Sequence, residues 1–208
     1  MGDWTLLIPM GSTEQHGPHL PLDTDTRIAV ELAARAAADL DDVLVAPALA
    51  ITASGEHAGF AGTLSVGTEV AGQMLVEIVR TAGPEFGLIV VVSGHGGNAA
   101  ALQTARDLCE YEGRALRAWW PSLHGGDAHA GRTETSVMLA IAPESVRMDL
   151  AEAGATIPIG ELGDELRAGR LAEVSPNGVL GDPIGATAAE GDRIIATWLG
   201  QVVRLLQR

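Results

Sequence analysis

Lysine is missing from this chain: all 13 basic residues are arginines, set against 27 acidic ones. Its absence removes a lysine Schiff base and a P-loop lysine from the available chemistry. The formal charge of −14 argues against nucleic acid as a partner, since phosphates need a cationic face. It argues equally against anionic membrane surfaces. Cysteine is nearly missing as well. Cys109 stands alone, so no intrachain disulfide can form and a reducing compartment is the natural setting. Aromatic residues make up 3% of the chain, which leaves Ala, Val, Leu and Ile to build a core. No run approaches the ~20 apolar residues of a membrane-spanning helix. The opening "MGDWTLLIPM" lacks the basic start of a signal peptide. The expectation is an acidic, cytoplasmic, globular protein with one domain over residues 1–208, long enough to bury roughly 70% of its unfolded surface.

What is present alternates between two periodicities. "TLLIPM" (Thr5–Met10) reads as a buried strand and Thr26–Leu40 as a helix with an apolar stripe. A second strand is expected over Val43–Ile51, and a second helix over Thr68–Ala82, ended by Gly83-Pro84. "LIVVVS" (Leu88–Ser93) is the least ambiguous strand, followed by a helix over about Asn98–Glu112. "RALRAWWP" gives a fourth strand, "ETSVMLAIA" a short helix, and Ala188–Leu206 the last helix. The Gly- and Pro-containing stretch Ile157–Pro183 reads as a long surface loop or lid. Strands separated by helices imply right-handed βαβ units: a three-layer α/β/α fold with a mainly parallel sheet covered on both faces.

In such sheets ligands bind beyond the carboxyl ends of the strands. Three segments follow strand ends here: "GSTEQHGPHLPLDTDT" after the first, "SGHGGN" after the third and "GGDAHAGRTETS" after the fourth. Together they bring Glu14, His16, Asp25, His95, His129 and Glu134 to one rim. Glu14 and His16 are two apart, so on extended chain they face the same way, and each could contact one of two neighbouring ions. Asp25, at the start of the first helix, could bridge them, whereas Asp23 reads as an N-cap. Imidazole plus carboxylate suits zinc, iron or manganese better than magnesium or calcium. Two such ions per chain would polarise a carbonyl and make hydroxide available near neutral pH, the equipment of amide hydrolysis. His129 remains as a general acid or oxyanion partner. Free amides of Gly96 and Gly97 at a helix start could hold an oxyanion. His57 could line the pocket or stabilise its loop. Neither a phosphate-loop motif nor a G-x-S-x-G nucleophile elbow occurs around these residues.

These same texts, with "GEHAGFAGTLSVG" between the first and second, carry a resemblance to the creatininase family over nearly the whole chain. The resemblance implies an α/β fold, a binuclear metal centre and a homo-oligomer, commonly a hexamer. It implies Glu14, Asp25 and His95 on one ion and His16 on the other, with Asp25 bridging and His129 catalytic. Two departures bear on substrate. Creatininase itself has a metal-binding Glu where this chain has Gly97, and members with the G-H-G-G-N form use the later E-T-S glutamate, which points to Glu134 as ligand, catalytic base or both. Creatininase also has a substrate-covering Trp where this chain has Gly125. Within the family, "LDTDTRIA", "SGEHAGFAGTLSVG", "GGDAHAGRTETS" and "VSPNGVLGDP" resemble members that trim a modified precursor peptide near its C-terminus, releasing the unit derived from a final Val-Tyr pair. The rival expectations are an amidohydrolase of a small cyclic amide or formamide and a non-catalytic metal-binding protein.

Overall fold

The computed structural model describes residues 2–207. Its four strands, β1 (Trp4–Met10), β2 (Val43–Val45), β3 (Phe86–Ser93) and β4 (Leu116–Trp119), form one parallel sheet in the order β2-β1-β3-β4. Side chains alternate across β1 and β3. Leu6, Ile8 and Val91 face the helices α2 (Thr68–Thr81) and α3 (Ala99–Tyr111). Leu7, Val90 and Val92 face α1 (Thr24–Ala37), α4 (Arg132–Ile141) and α7 (Ala188–Leu206). Both faces are therefore covered, which is why these strands read as unbroken apolar runs rather than as alternating ones. Trp119 closes the second core edge-on to Trp198, with ring centroids 5.7 Å apart. Among the described residues no helix is long and apolar enough to cross a membrane.

The second strand is shorter than its apolar text suggests. By the same parity as Thr5, whose N–H reaches the Asp42 carbonyl, the nitrogen of Pro9 faces β2 and has no hydrogen to give. Regular pairing stops at Val45, and the chain past Pro47 rejoins β1 only through an isolated bridge between Met10 and Leu49.

The stretch expected as a surface loop or lid is also corrected. It folds into two short helices, α5 (Gly163–Arg167) and α6 (Leu171–Val174), around a small core of buried Leu162, Leu171 and Leu180. Leu180 and His129 exchange backbone hydrogen bonds in an antiparallel bridge. The segment is a clamp on the chain that carries His129.

The connection from β1 runs to β2 on one side, and the chain then returns to β3 on the other. The crevice at this reversal, beyond the carboxyl ends of β1 and β3, is where an open parallel sheet accepts ligands.

Candidate metal centre

Two glycines at the strand ends let the first turn of α1 come down onto that crevice. A Cβ on Gly94 would lie 2.0 Å from the Asp25 carbonyl oxygen, and one on Gly11 would lie 2.2 Å from Thr26 Oγ1. Only a hydrogen fits at either place. Asp25 is thereby set between β1 and β3, with the Ser12 hydroxyl donating to its Oδ2 at 2.7 Å. Asp23 sits at the N-cap position but does not cap with its side chain, correcting that expectation; its carboxylate accepts from Arg27 Nε at 2.8 Å instead.

The two oxygens of Asp25 look in two directions. Oδ2 lies 3.1 Å from His95 Nδ1, while Oδ1 lies 3.0 Å from His16 Nε2. On the first side, Glu14 Oε1 stands 3.3 Å from His95 Nδ1, and the ligand atoms of Glu14, Asp25 and His95 fall within 4.8 Å of one another. On the second side, Glu134 Oε2 stands 3.9 Å from His16 Nε2, and Glu134, His16 and His129 form another such group. The ring atoms of His57 and His129 form a third group with Glu14. All these residues are buried except Glu134, whose side chain keeps 17% of its surface.

The rings of His16 and His95 are turned for ligation. His16 Nδ1 donates to the Glu14 carbonyl at 3.1 Å and His95 Nε2 to the Ala53 carbonyl at 2.8 Å. A carbonyl only accepts, so the outward nitrogens carry protons and the inward ones are the positions that a cation, or in its absence a proton, would take. Glu14 gives the sharper indication. Both of its carboxylate oxygens are buried without a hydrogen-bond partner, although His57 Nε2 and His95 Nδ1 approach Oε1 to 3.2 and 3.3 Å. A buried, unpartnered carboxylate costs several kcal/mol unless a cation faces it. Two oxygen–nitrogen clusters sharing one carboxylate, with an orphaned anion at their edge, fit a pair of divalent ions.

Electrostatics agrees. Burial raises the Glu14 carboxyl to about 7 against the pull of His95, and the Glu134 carboxyl to about 8 against that of His16. Burial would lower His16, yet Asp25 beside it carries the ring up to about 10. Burial likewise opposes the charged Asp25, but His16 and His95 hold its carboxyl well below the usual range. His57 is pushed down to about 3 by burial, and His129 well below its ordinary value by burial and then by His16. In the metal-free protein, protons occupy positions that cations would take.

The residues around these ligand groups are placed more loosely. Gly96 and Gly97 open the single helical turn ahead of α3; Gly96 is exposed, and Gly97 touches the site. A Cβ on Gly97 would meet Glu56 Oε1 at 2.1 Å and His95 Nε2 at 2.3 Å. The room vacated there holds Glu56, whose Oε1 lies 3.4 Å from His95 Nε2 and supports that ring from behind. His19 is buried with Nε2 2.9 Å from Thr135 Oγ1 and belongs to none of the three ligand groups. His124 is exposed. Asp127 closes the start of α4, accepting from the Arg132 and Thr133 amides, and the next turn positions Glu134. Ala130, held at φ 51°, donates its N–H to Glu134 Oε2 at 2.6 Å. A left-handed alanine is strained by about 1–3 kcal/mol, and such strain gathers at functional sites.

Sequence reasoning passed over Gln15. Its side chain lies between His57 and His129 and also reaches the Gly178 carbonyl, 163 residues away. Gln15 also lines a cavity of about 400 Å³ with Gly17, Pro18, Phe60, Leu150 and Asn177. Gln15, which contacts both His57 and His129, joins that cavity to the site.

Residues 1–206 match the family described as creatininase, creatinine amidohydrolase. A mycofactocin precursor peptide peptidase of Mycolicibacterium smegmatis is 54% identical over 198 residues, 92% of this chain and 79% of that one. A solved structure described as a putative creatinine amidohydrolase from Bacteroides fragilis superposes with a TM-score of 0.78 at 28% identity, covering 100% of this chain and 91% of that one. A creatininase crystal structure gives a TM-score of 0.79 at 23% identity, with 99% and 90% covered, a likeness of fold.

Proposed function

The chain belongs to the creatininase family of hydrolases, and from that premise we propose that it is a metal-dependent peptidase of the modified mycofactocin precursor peptide, cutting near the C-terminus. The observation that carries the reading is the 54% identity to a peptidase of that name across 92% of the chain. The site is compatible with a peptide. Gly125 is exposed, and a side chain there would meet nothing within 4 Å, so that position places no aromatic lid over the crevice. The cavity beside Gln15 offers about 400 Å³, in the range that holds small ligands or a few residues of an extended tail.

Glu14, Asp25 and His95 would hold one ion and His16, Asp25 and Glu134 the other, with zinc, iron or manganese suited to this donor set. Such a pair supplies Lewis acidity towards a carbonyl oxygen and acidifies water. The protein's own residues do the rest. Asp25 fixes the spacing of the two halves, because each of its oxygens faces one of them. His129, buried and within reach of both, handles the proton that moves from water to the leaving amine. His57, 3.2 Å from Glu14 Oε1, would face the carbonyl oxygen as it becomes negative, and the Gly96 and Gly97 amides would assist if turned inward. The unit acts as a homo-oligomer in the cytoplasm, a hexamer or similar assembly.

Incubation with the modified precursor peptide, read by mass spectrometry beside a parallel creatinine assay, tests this. Release of a small C-terminal fragment with negligible creatinine turnover is expected. Rapid turnover of creatinine or a formamide with the peptide untouched would establish a small-amide hydrolase instead.

A further inference from the structure

Four histidine rings surround the candidate centre, and their hydrogen bonds fix which nitrogen of each carries the proton. Three backbone groups that cannot change role decide the matter. The Gly17 N–H can only donate, and it reaches Gln15 Oε1 at 2.9 Å, so the Gln15 amide oxygen points that way and its nitrogen the other. The Gly178 carbonyl can only accept, and it takes one Gln15 Nε2 proton at 2.9 Å. The other proton of that nitrogen goes to His57 Nδ1, also at 2.9 Å, so Nδ1 of the neutral ring is bare and Nε2 is protonated. The Gln15 carbonyl can only accept as well. His129 Nε2 lies 2.8 Å from it, so that nitrogen bears a proton and Nδ1 is bare. The 3.1 Å approach of Gln15 Nε2 to His129 Nε2 is then a contact between two donors, not a bond.

His57 and His129 are thus the same tautomer turned opposite ways. His57 Nε2–H stands 3.2 Å from Glu14 Oε1 without a hydrogen bond to it, while His129 holds a bare Nδ1 3.7 Å from the same oxygen. The rings lean together with centroids 4.4 Å apart. With ions bound, His16 and His95, their outward protons on carbonyls, would turn bare nitrogens to the metal, which makes His57 the one ring of the four that would then offer a proton.

We infer that Gln15 is a positioning residue that fixes His57 as the hydrogen-bond donor of the site and leaves His129 as its proton acceptor. The assignment rests on the hydrolase reading above and divides the labour within it. As the water oxygen bonds to the scissile carbonyl carbon, one water proton passes to His129 Nδ1. When the C–N bond breaks, that proton moves to the amine, leaving acid and amine products. His57 Nε2–H donates to the carbonyl oxygen while it carries negative charge, and keeps its own proton. The assignment also removes His57 from the ligand-capable set, since its inward nitrogen is occupied. Gly178 belongs to the device. It sits at φ 78°, and a Cβ there would lie 1.9 Å from Gln15 Oε1.

The test is nitrogen-15 NMR of the zinc-loaded protein labelled at histidine, with resonances assigned through His57→Asn and His129→Asn variants, alongside kinetics of Gln15→Glu. The expected spectrum shows His57 with a protonated Nε2 and a bare Nδ1. Glutamate at position 15, when ionised at the pH of the assay, can only accept, so it should turn His57 into the Nδ1–H form and remove the donor. The kcat for precursor cleavage should fall roughly 10²- to 10³-fold, as when one oxyanion donor is lost, with KM and zinc content close to unchanged. A bare Nε2 on His57 in the unaltered protein, or a Gln15→Glu variant with unchanged kcat, would overturn the assignment. A protein inert towards the peptide would sink the proposed activity, while the nitrogen shifts would still decide the role of Gln15.

Discussion

Asp25 is the residue on which both halves of the candidate centre depend, and its neighbour Asp23 is the natural control. Asp25→Ala removes the carboxylate that faces His16 with one oxygen and His95 with the other. Elemental analysis of the purified variant should find most of the metal gone. Asp23→Ala breaks only a partly exposed pair with Arg27, worth at most about 1 kcal/mol, and should retain full metal content. Equal loss in both variants would contradict the bridging arrangement. The charged cluster was legible in the sequence because carboxylates and imidazoles crowd the ends of recognisable strands. Gln15 was not. It stands between two conspicuous residues, and its meaning depends on the carbonyl of Gly178 and on a ring at position 57. No local pattern carries that information.

At the scale of elements, the close approach of α1 to the sheet is the feature that makes the site. Gly94→Ala puts a methyl group against the Asp25 backbone, so the first turn of α1 must move outward. Overpacking of this kind costs about 1–3 kcal/mol. Here it should also weaken metal binding, which titration calorimetry of the refilled protein would register; unchanged affinity would show that the approach does not matter. Leu171→Ala hollows the small core under α5 and α6, a loss of about 2–5 kcal/mol of local stability. Because that core anchors Leu180 against His129, activity should fall further than metal content does. Equal losses would place the effect elsewhere. The long helices and the central strands were readable since their periodicities are extended. The clamp over residues 157–183 was not, because helices of five and four residues with three separated leucines leave no repeat to detect. The edge strand β2 read too long because apolar text says nothing of a proline facing it from β1.

For the whole molecule, the buried charges predict how stability follows pH when no metal is bound. Glu14 and Glu134 titrate near 7 and 8 in the folded protein against 4.5 when unfolded, and His16 near 10 against 6.5. Between pH 6.5 and 8 the folded state therefore binds more protons than the unfolded one, so stability falls as pH rises. The lowered histidines His57, His19 and His129 act in the opposite sense, chiefly below about 7, where their unfolded rings still bind protons, and oppose the trend only in part above 6.5. Calorimetry of the metal-stripped protein should show Tm decreasing over that interval. Added zinc should raise Tm more at pH 8 than at pH 6.5, since ligands must shed protons to bind it. A metal-free Tm that climbs from 6.5 to 8 would contradict the charge assignment. The central claim is a two-ion peptidase, and one measurement reaches it directly: elemental analysis of protein that is cleaving the modified precursor peptide, before and after chelation. Close to two divalent transition ions per chain, with cleavage abolished by the chelator and restored by metal, is the predicted result; full cleavage by protein containing no such metal would contradict it.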